Sequence, residues 1–164
     1  MDIVILIIGF VLTEGYTIYI KRSKKYGLQK SISASARLIQ DKEGRSPLFV
    51  VWVLVLAFPV AYVSNQPLCW LGACIMSIIG GFTGFNINFW NKKLQQNIHT
   101  ASVLIAIVLF EWGLYLIDSE TLEMIIAILP FILLSAILKY KGWIWYSEQV
   151  VKYQIYLTLL IISL

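Results

Sequence analysis

PLCWLGACIMSIIGGFTGFNIN, residues 67–88, is the stretch on which the reading of the fold turns. It is long and apolar enough to cross a bilayer, which takes about 20 such residues. Small residues also recur along it: Ala73, Ser77, Gly80, Gly81 and Gly84. Their helical spacing puts them on one face. Such a face lets a second backbone come close, and in lipid it is packing rather than burial of apolar side chains that drives helices together. The stretch is therefore predicted to be the central helix of a membrane bundle.

Composition agrees with that class. Of the 164 residues, 59% are hydrophobic and 13% charged, against about 25% charged in ordinary soluble domains. Outward from the central stretch, further apolar runs cover residues 3–20, 47–64, 98–117, 122–138 and 143–164. The prediction is one all-α, polytopic transmembrane domain of about six spans, with a short interfacial helix near 28–40. There Leu28, Ile32, Ala36 and Ile39 share one face, next to a polybasic run. The first run follows Met1-Asp2 without the preceding positive charge or small cleavage residues of a signal peptide. It is expected to be a retained span. Pro59 and Pro130 are expected to kink their helices.

Charge gives the topology. Eight of the thirteen Lys and Arg lie between residues 21 and 45, two are Lys92 and Lys93, and two are Lys139 and Lys141. The positive-inside rule puts these three loops in the cytoplasm and both termini on the far side of an inner membrane. Lys21, Arg22, Lys24 and Lys25 are expected to contact anionic head groups. This local charge suits a membrane surface better than nucleic acid. The expected partners are membrane lipids and a second copy or another membrane protein.

Charged residues inside spans are costly and mark candidate sites. Glu148 and Lys152 are four apart, the order that favours an ion pair along the helix. Counted from the basic ends, Glu14 lies at about the same depth, so all three are expected to meet. Glu111 lies deeper and is expected to accept a hydrogen bond from a Tyr, Trp or Ser of a neighbouring helix. His99, the one histidine, opens the fourth span, with Ser31 and Ser33 as partners from the first loop if it works as an acid or base. Cys69 and Cys74 point apart on a helix and are expected to remain unbridged. Two cysteines and one histidine do not make a usual structural zinc site, and no metal or cofactor is implied.

Ser31-Ile32-Ser33, the turn at Pro67, the glycine-rich third span and His99 carry a resemblance. Over residues 28–117 or so, the chain resembles a diffuse group of small bacterial polytopic membrane proteins of unknown function. These are distantly similar to the eukaryotic autophagy-modulator membrane proteins. The resemblance implies one cytoplasmic-face site holding Ser31, Ser33 and His99, and it names no activity. Ala34-Ser35-Ala36 stand where members often place aromatics. The chain also lacks the further histidines of ceramidase-type membrane hydrolases. The functional expectation is a membrane protein that binds a lipid or amphipathic ligand or supports a membrane complex. The rivals are a small transporter or channel subunit using the buried Glu and Lys, and an intramembrane lipid-modifying enzyme.

Overall fold

A computed structural model of the chain describes residues 1–23, 32, 48–81, 92–138 and 142–164. Among them the protein is all-helical, with no strands. In chain order the elements are α1 (Asp2–Arg22), α2 (Leu48–Ser64), α3 (Pro67–Cys74) with a π-helical continuation (Ile75–Gly81), α4 (Lys92–Ile117), α5 (Thr121–Ile137) and α6 (Trp143–Ile162). Two stretches, Asp2–Arg22 and Asn97–Ile117, are both long and apolar enough to cross a membrane. The proposed interfacial helix, apart from Ile32, lies outside the described residues, as do Ser31, Ser33, Lys24, Lys25 and Gly84.

The local signals at the helix ends are simple. Asn65 takes a positive φ of 50° in the turn before Pro67, a conformation Asn tolerates better than most residues. Pro67 then occupies the first turn of α3, where its missing N–H costs nothing. The Asp118 carboxylate accepts from the Glu120 N–H in the turn before α5. Gly142, at φ 81°, turns the chain into α6. Lys92 and Lys93, expected in a loop, fall in the first turn of α4.

Two expectations about residues 67–88 need correction. First, the helix is not regular: from Ile75 its turns close on i+5 rather than i+4. Residues four apart therefore no longer stack directly over one another. Second, it packs between α2 and α4 rather than at the centre. Its other side, including Trp70, Leu71, Ile78 and Ile79, is exposed. Within the described residues, α2 and α4 hold the middle: α2 meets α1, α3, the π segment, α4 and α6. The small-residue face does pack inside the chain. Ala73 and Ser77 are buried, and a Cβ on Gly80 would stand 3.2 Å from Ser102 Oγ of α4.

The closest approach lies elsewhere on the same helix pair. A Cβ on Gly113 would sit 2.6 Å from Cys69 Sγ, and one on Gly72 would sit 3.1 Å from the Ala106 carbonyl oxygen. Gly15, on α1, has open space instead. Gly113→Ala is expected to lower the melting temperature, whereas Gly15→Ala is expected to hold or raise it, alanine being the better helix former. A Gly113→Ala protein as stable as wild type would rule out this tight α3–α4 contact.

Beside a core of Leu6, Ile20, Val53, Leu114 and Leu159, several polar side chains turn inward while many aliphatic ones face outward. On α1, Thr13 and Thr17 are buried while Val4, Ile7, Ile8, Val11 and Leu12 are exposed. On α6, Gln149, Lys152, Gln154 and Thr158 are buried while Leu157 and Ile161 are exposed. Cys69 is buried, Cys74 is exposed, and both are free thiols.

Candidate functional site: a cavity with a polar mouth

Helices α2, α4 and α6 all start at one end of the bundle, where the π segment finishes. Between them lies a cavity of about 80 Å³, several times the room one water needs. At that end its wall carries Ile32, Gly80, His99, Glu148 and Lys152. Further in, as α2, α4 and α6 run on, it is closed by Val60, Phe110, Ile155 and Tyr156. The result is a polar mouth above an apolar interior.

Each polar group at the mouth is held by a different element. His99 Nδ1 lies 2.8 Å from the Gly80 carbonyl oxygen. A carbonyl can only accept, so Nδ1 carries the hydrogen of this bond. His99 thus joins the first turns of α4 to the π-helical segment. Its ring also lies 6.3 Å from that of Phe49. Ser31 and Ser33, its expected partners, lie outside the described residues. Between them in sequence, Ile32 is fully buried, and its backbone N–H donates to Glu148 Oε2 at 2.5 Å.

Lys152 and Glu148 do not form the expected pair along α6. Lys152 instead makes an ion pair and hydrogen bond with Glu14 Oε1 of α1. The Tyr153 hydroxyl donates to the other oxygen, Glu14 Oε2, at 3.0 Å. The Lys152 ammonium also lies 5.1 Å from the Tyr153 ring centre and 5.8 Å from that of Phe10. A buried ammonium needs a countercharge, and Glu14 provides it with both carboxylate oxygens engaged. An exposed i,i+4 pair contributes only about 0.2–0.5 kcal/mol, too little to compete with that need. So the structure brings Glu14 and Lys152 together and leaves Glu148 to the cavity.

Glu111 belongs to a separate cluster. Its partner is neither Tyr, Trp nor Ser: Gln154 Nε2 donates to Glu111 Oε2 and to Thr158 Oγ1, both at 3.2 Å. Thr158 in turn donates to Met124 Sδ of α5. This arrangement ties α4, α5 and α6 together and does not reach the cavity wall.

Tyr156, which continues the face of Glu148 and Lys152 along α6, is buried and finds its partners on α2. Pro59 has no N–H, so the carbonyl of Val55 four residues earlier loses its helical donor. The Tyr156 hydroxyl donates to Val55 at 3.3 Å and Leu56 at 3.2 Å. Opposite, Gly9 makes room for the Pro59 ring, since a Cβ there would lie 2.9 Å from Pro59 Cγ. A proline in an apolar run is the signal that an orphan carbonyl must find a donor, but it does not say which one.

At the basic end of α1, the Lys21 ammonium lies 5.1 Å from the Tyr146 ring centre. The end of α1 and the start of α6 are thus neighbours on one side of the bundle. Compared with protein-family models, curated proteins and solved structures, the chain matches none of them.

Proposed function

We propose that the chain is a six-span inner-membrane protein that holds the apolar part of a lipid or other amphipathic ligand in the cavity between α2, α4 and α6. The observation that carries this reading is the cavity itself: apolar in depth, polar at one mouth, and enclosed by helices. Ligand sites are typically concave and apolar with a few convergent polar groups. Among those groups are His99, Glu148 and Lys152.

Membrane residence is supported by the inward turn of polar side chains and the aliphatic outer faces of α1, α4 and α5, which include Ile7, Val11, Leu104, Val108, Ile126 and Leu133. In water such faces are an association liability; in lipid they are the natural surface. The basic loops lie on the cytoplasmic side in this reading, which puts the cavity mouth near that surface. Lys21 and Arg22, with Lys24 and Lys25, then meet anionic head groups, each contributing about 1 kcal/mol.

The test is native mass spectrometry of protein released from mild detergent. A discrete lipid or amphipathic adduct is expected on the wild type. Ile107→Trp, which fills the cavity wall, is expected to remove it while the protein stays folded. An adduct that survives Ile107→Trp, or bare wild-type protein, would count against the cavity as a ligand site.

A second reading, a small transporter or channel subunit, draws on the buried Glu14–Lys152 pair and on Pro59 and Pro130 inside α2 and α5. Interrupted helices and intramembrane charge recur in transporters. A proteoliposome flux abolished by Lys152→Met would favour it.

A further inference from the structure

We infer that the cavity takes one alkyl chain of about ten to twelve carbons, so that its ligand is a one-chain amphiphile rather than a two-chain lipid. The inference rests on the ligand-binding reading above and specifies its ligand class.

Three helices set the length. The walls run from Phe49 to Val60 on α2, from His99 to Phe110 on α4 and from Glu148 to Tyr156 on α6. At the helical rise the first two span about 16 Å and the third about 12 Å. An extended chain advances about 1.2 Å per bond, so the space from mouth to floor holds about ten to twelve carbons. The floor is shut: Val60 and Phe110 are 2% and 3% exposed, and the Tyr156 hydroxyl is held by the Val55 and Leu56 carbonyls. A longer chain therefore has no way through. Volume sets the width. The 80 Å³ of the cavity is room for about five to eight waters. Spread over this depth, that is a single file of waters, and a methylene chain is about as wide. A second chain would have to displace wall side chains such as Val53, Met76 and Val103 from close packing. The polar wall residues stand at the mouth and the floor is apolar, so the head group stays at the mouth and the chain points inward. A chain of about 16 carbons is about 18 Å long, longer than any of the three walls. It must draw its head group away from the mouth or leave carbons outside it.

The probes are uncharged 1-monoacylglycerols with octanoyl, decanoyl, dodecanoyl, hexadecanoyl and octadecanoyl chains, together with didecanoylglycerol. Each is added to the full-length protein at the same mole fraction in an uncharged two-chain detergent, and adducts are read by native mass spectrometry. Equal mole fraction cancels the general gain of longer chains in an apolar phase. The decanoyl and dodecanoyl compounds are expected to bind at one per protein chain. They should exceed the hexadecanoyl and octadecanoyl compounds, and didecanoylglycerol, by roughly fivefold or more, the low end of what overpacking costs. Val60→Phe, which raises the floor, should move the optimum to the octanoyl compound, and Ile107→Trp should remove the adduct at every length. The length series on wild-type protein decides the matter even if Val60→Phe fails to fold. Binding that stays level or rises up to the octadecanoyl compound overturns the one-chain assignment. So does didecanoylglycerol bound as well as its one-chain counterpart, or an unchanged optimum in folded Val60→Phe. If Ile107→Trp still removes those adducts, the cavity reading stands alone. One-to-one adducts with none of the compounds overturn both.

Discussion

Lys152→Met is expected to destabilise the protein by about 3–5 kcal/mol, the usual cost of removing one partner from a buried ion pair. Lys152 is 4% exposed, and its ammonium pairs with Glu14 across the α1–α6 interface. Methionine matches the length and apolar volume of the lysine stem, so the loss isolates the charge. It leaves the Glu14 carboxylate with the Tyr153 hydroxyl and no cation. The double variant Glu14→Gln/Lys152→Met removes both charges and is expected to recover most of the stability. Glu148→Gln, which keeps an acceptor for the Ile32 N–H, is expected to cost far less. Thermal or denaturant unfolding in one detergent measures all three. A Lys152→Met protein within about 1 kcal/mol of wild type, the value of an exposed pair, would show that the bridge does not hold α1 against α6.

Tyr156→Phe is expected to cost about 1–3 kcal/mol, the penalty for a buried acceptor left without its donor. The ring survives, together with its tilted contact to Phe10 at 5.7 Å, so the difference is the hydroxyl alone. The acceptor at stake is the Val55 carbonyl, orphaned by Pro59. Tyr156 is buried at this contact, which makes the internal donor matter more than it would at an exposed carbonyl. Pro59→Ala returns an N–H at the position that Val55 would ordinarily use. Tyr156→Phe should therefore cost clearly less in the Pro59→Ala background than in wild type. Subtracting the two isolates the coupling from whatever packing Pro59 itself loses against Gly9. The same cost in both backgrounds would mean that Tyr156 does not stand in for the missing amide.

The helices were largely legible from sequence. The apolar runs at 3–20, 122–138 and 143–164 became Asp2–Arg22, Thr121–Ile137 and Trp143–Ile162. Runs of this kind leave the backbone no alternative: in an apolar setting its N–H and C=O groups must pair within the segment. The turns were readable for the same local reason, with Pro67 and Gly142 placed where their restricted or permissive φ is useful. The central position assigned to residues 67–88 was not correct. A face of small residues says that some backbone comes close. It does not say that the helix is surrounded, and the opposite face here is exposed.

The site was less legible. Residue types named the polar groups inside the helices, and depth counting put Glu14, Glu148 and Lys152 at one level. Nothing in the spacing showed that Gln154 would hold Glu111, or that the Ile32 backbone would meet Glu148. These contacts join residues 43 and 116 positions apart, and only packing brings them together.

What the sequence by itself determined is the all-helical class and where most helices start and stop, because those depend on local hydrogen bonding and turn chemistry. What only the tertiary structure decided is which carboxylate takes Lys152. Spacing offered Glu148, four residues away; the fold gives Glu14, 138 positions away. The reason is that a lysine on an exposed helix face gains little from an i,i+4 neighbour, whereas one buried between α1 and α6 must have a countercharge within that interface. Only the packed interface, in which α1 lies against α6 with Glu14 facing inward, supplies it, and the same choice leaves Glu148 to the cavity.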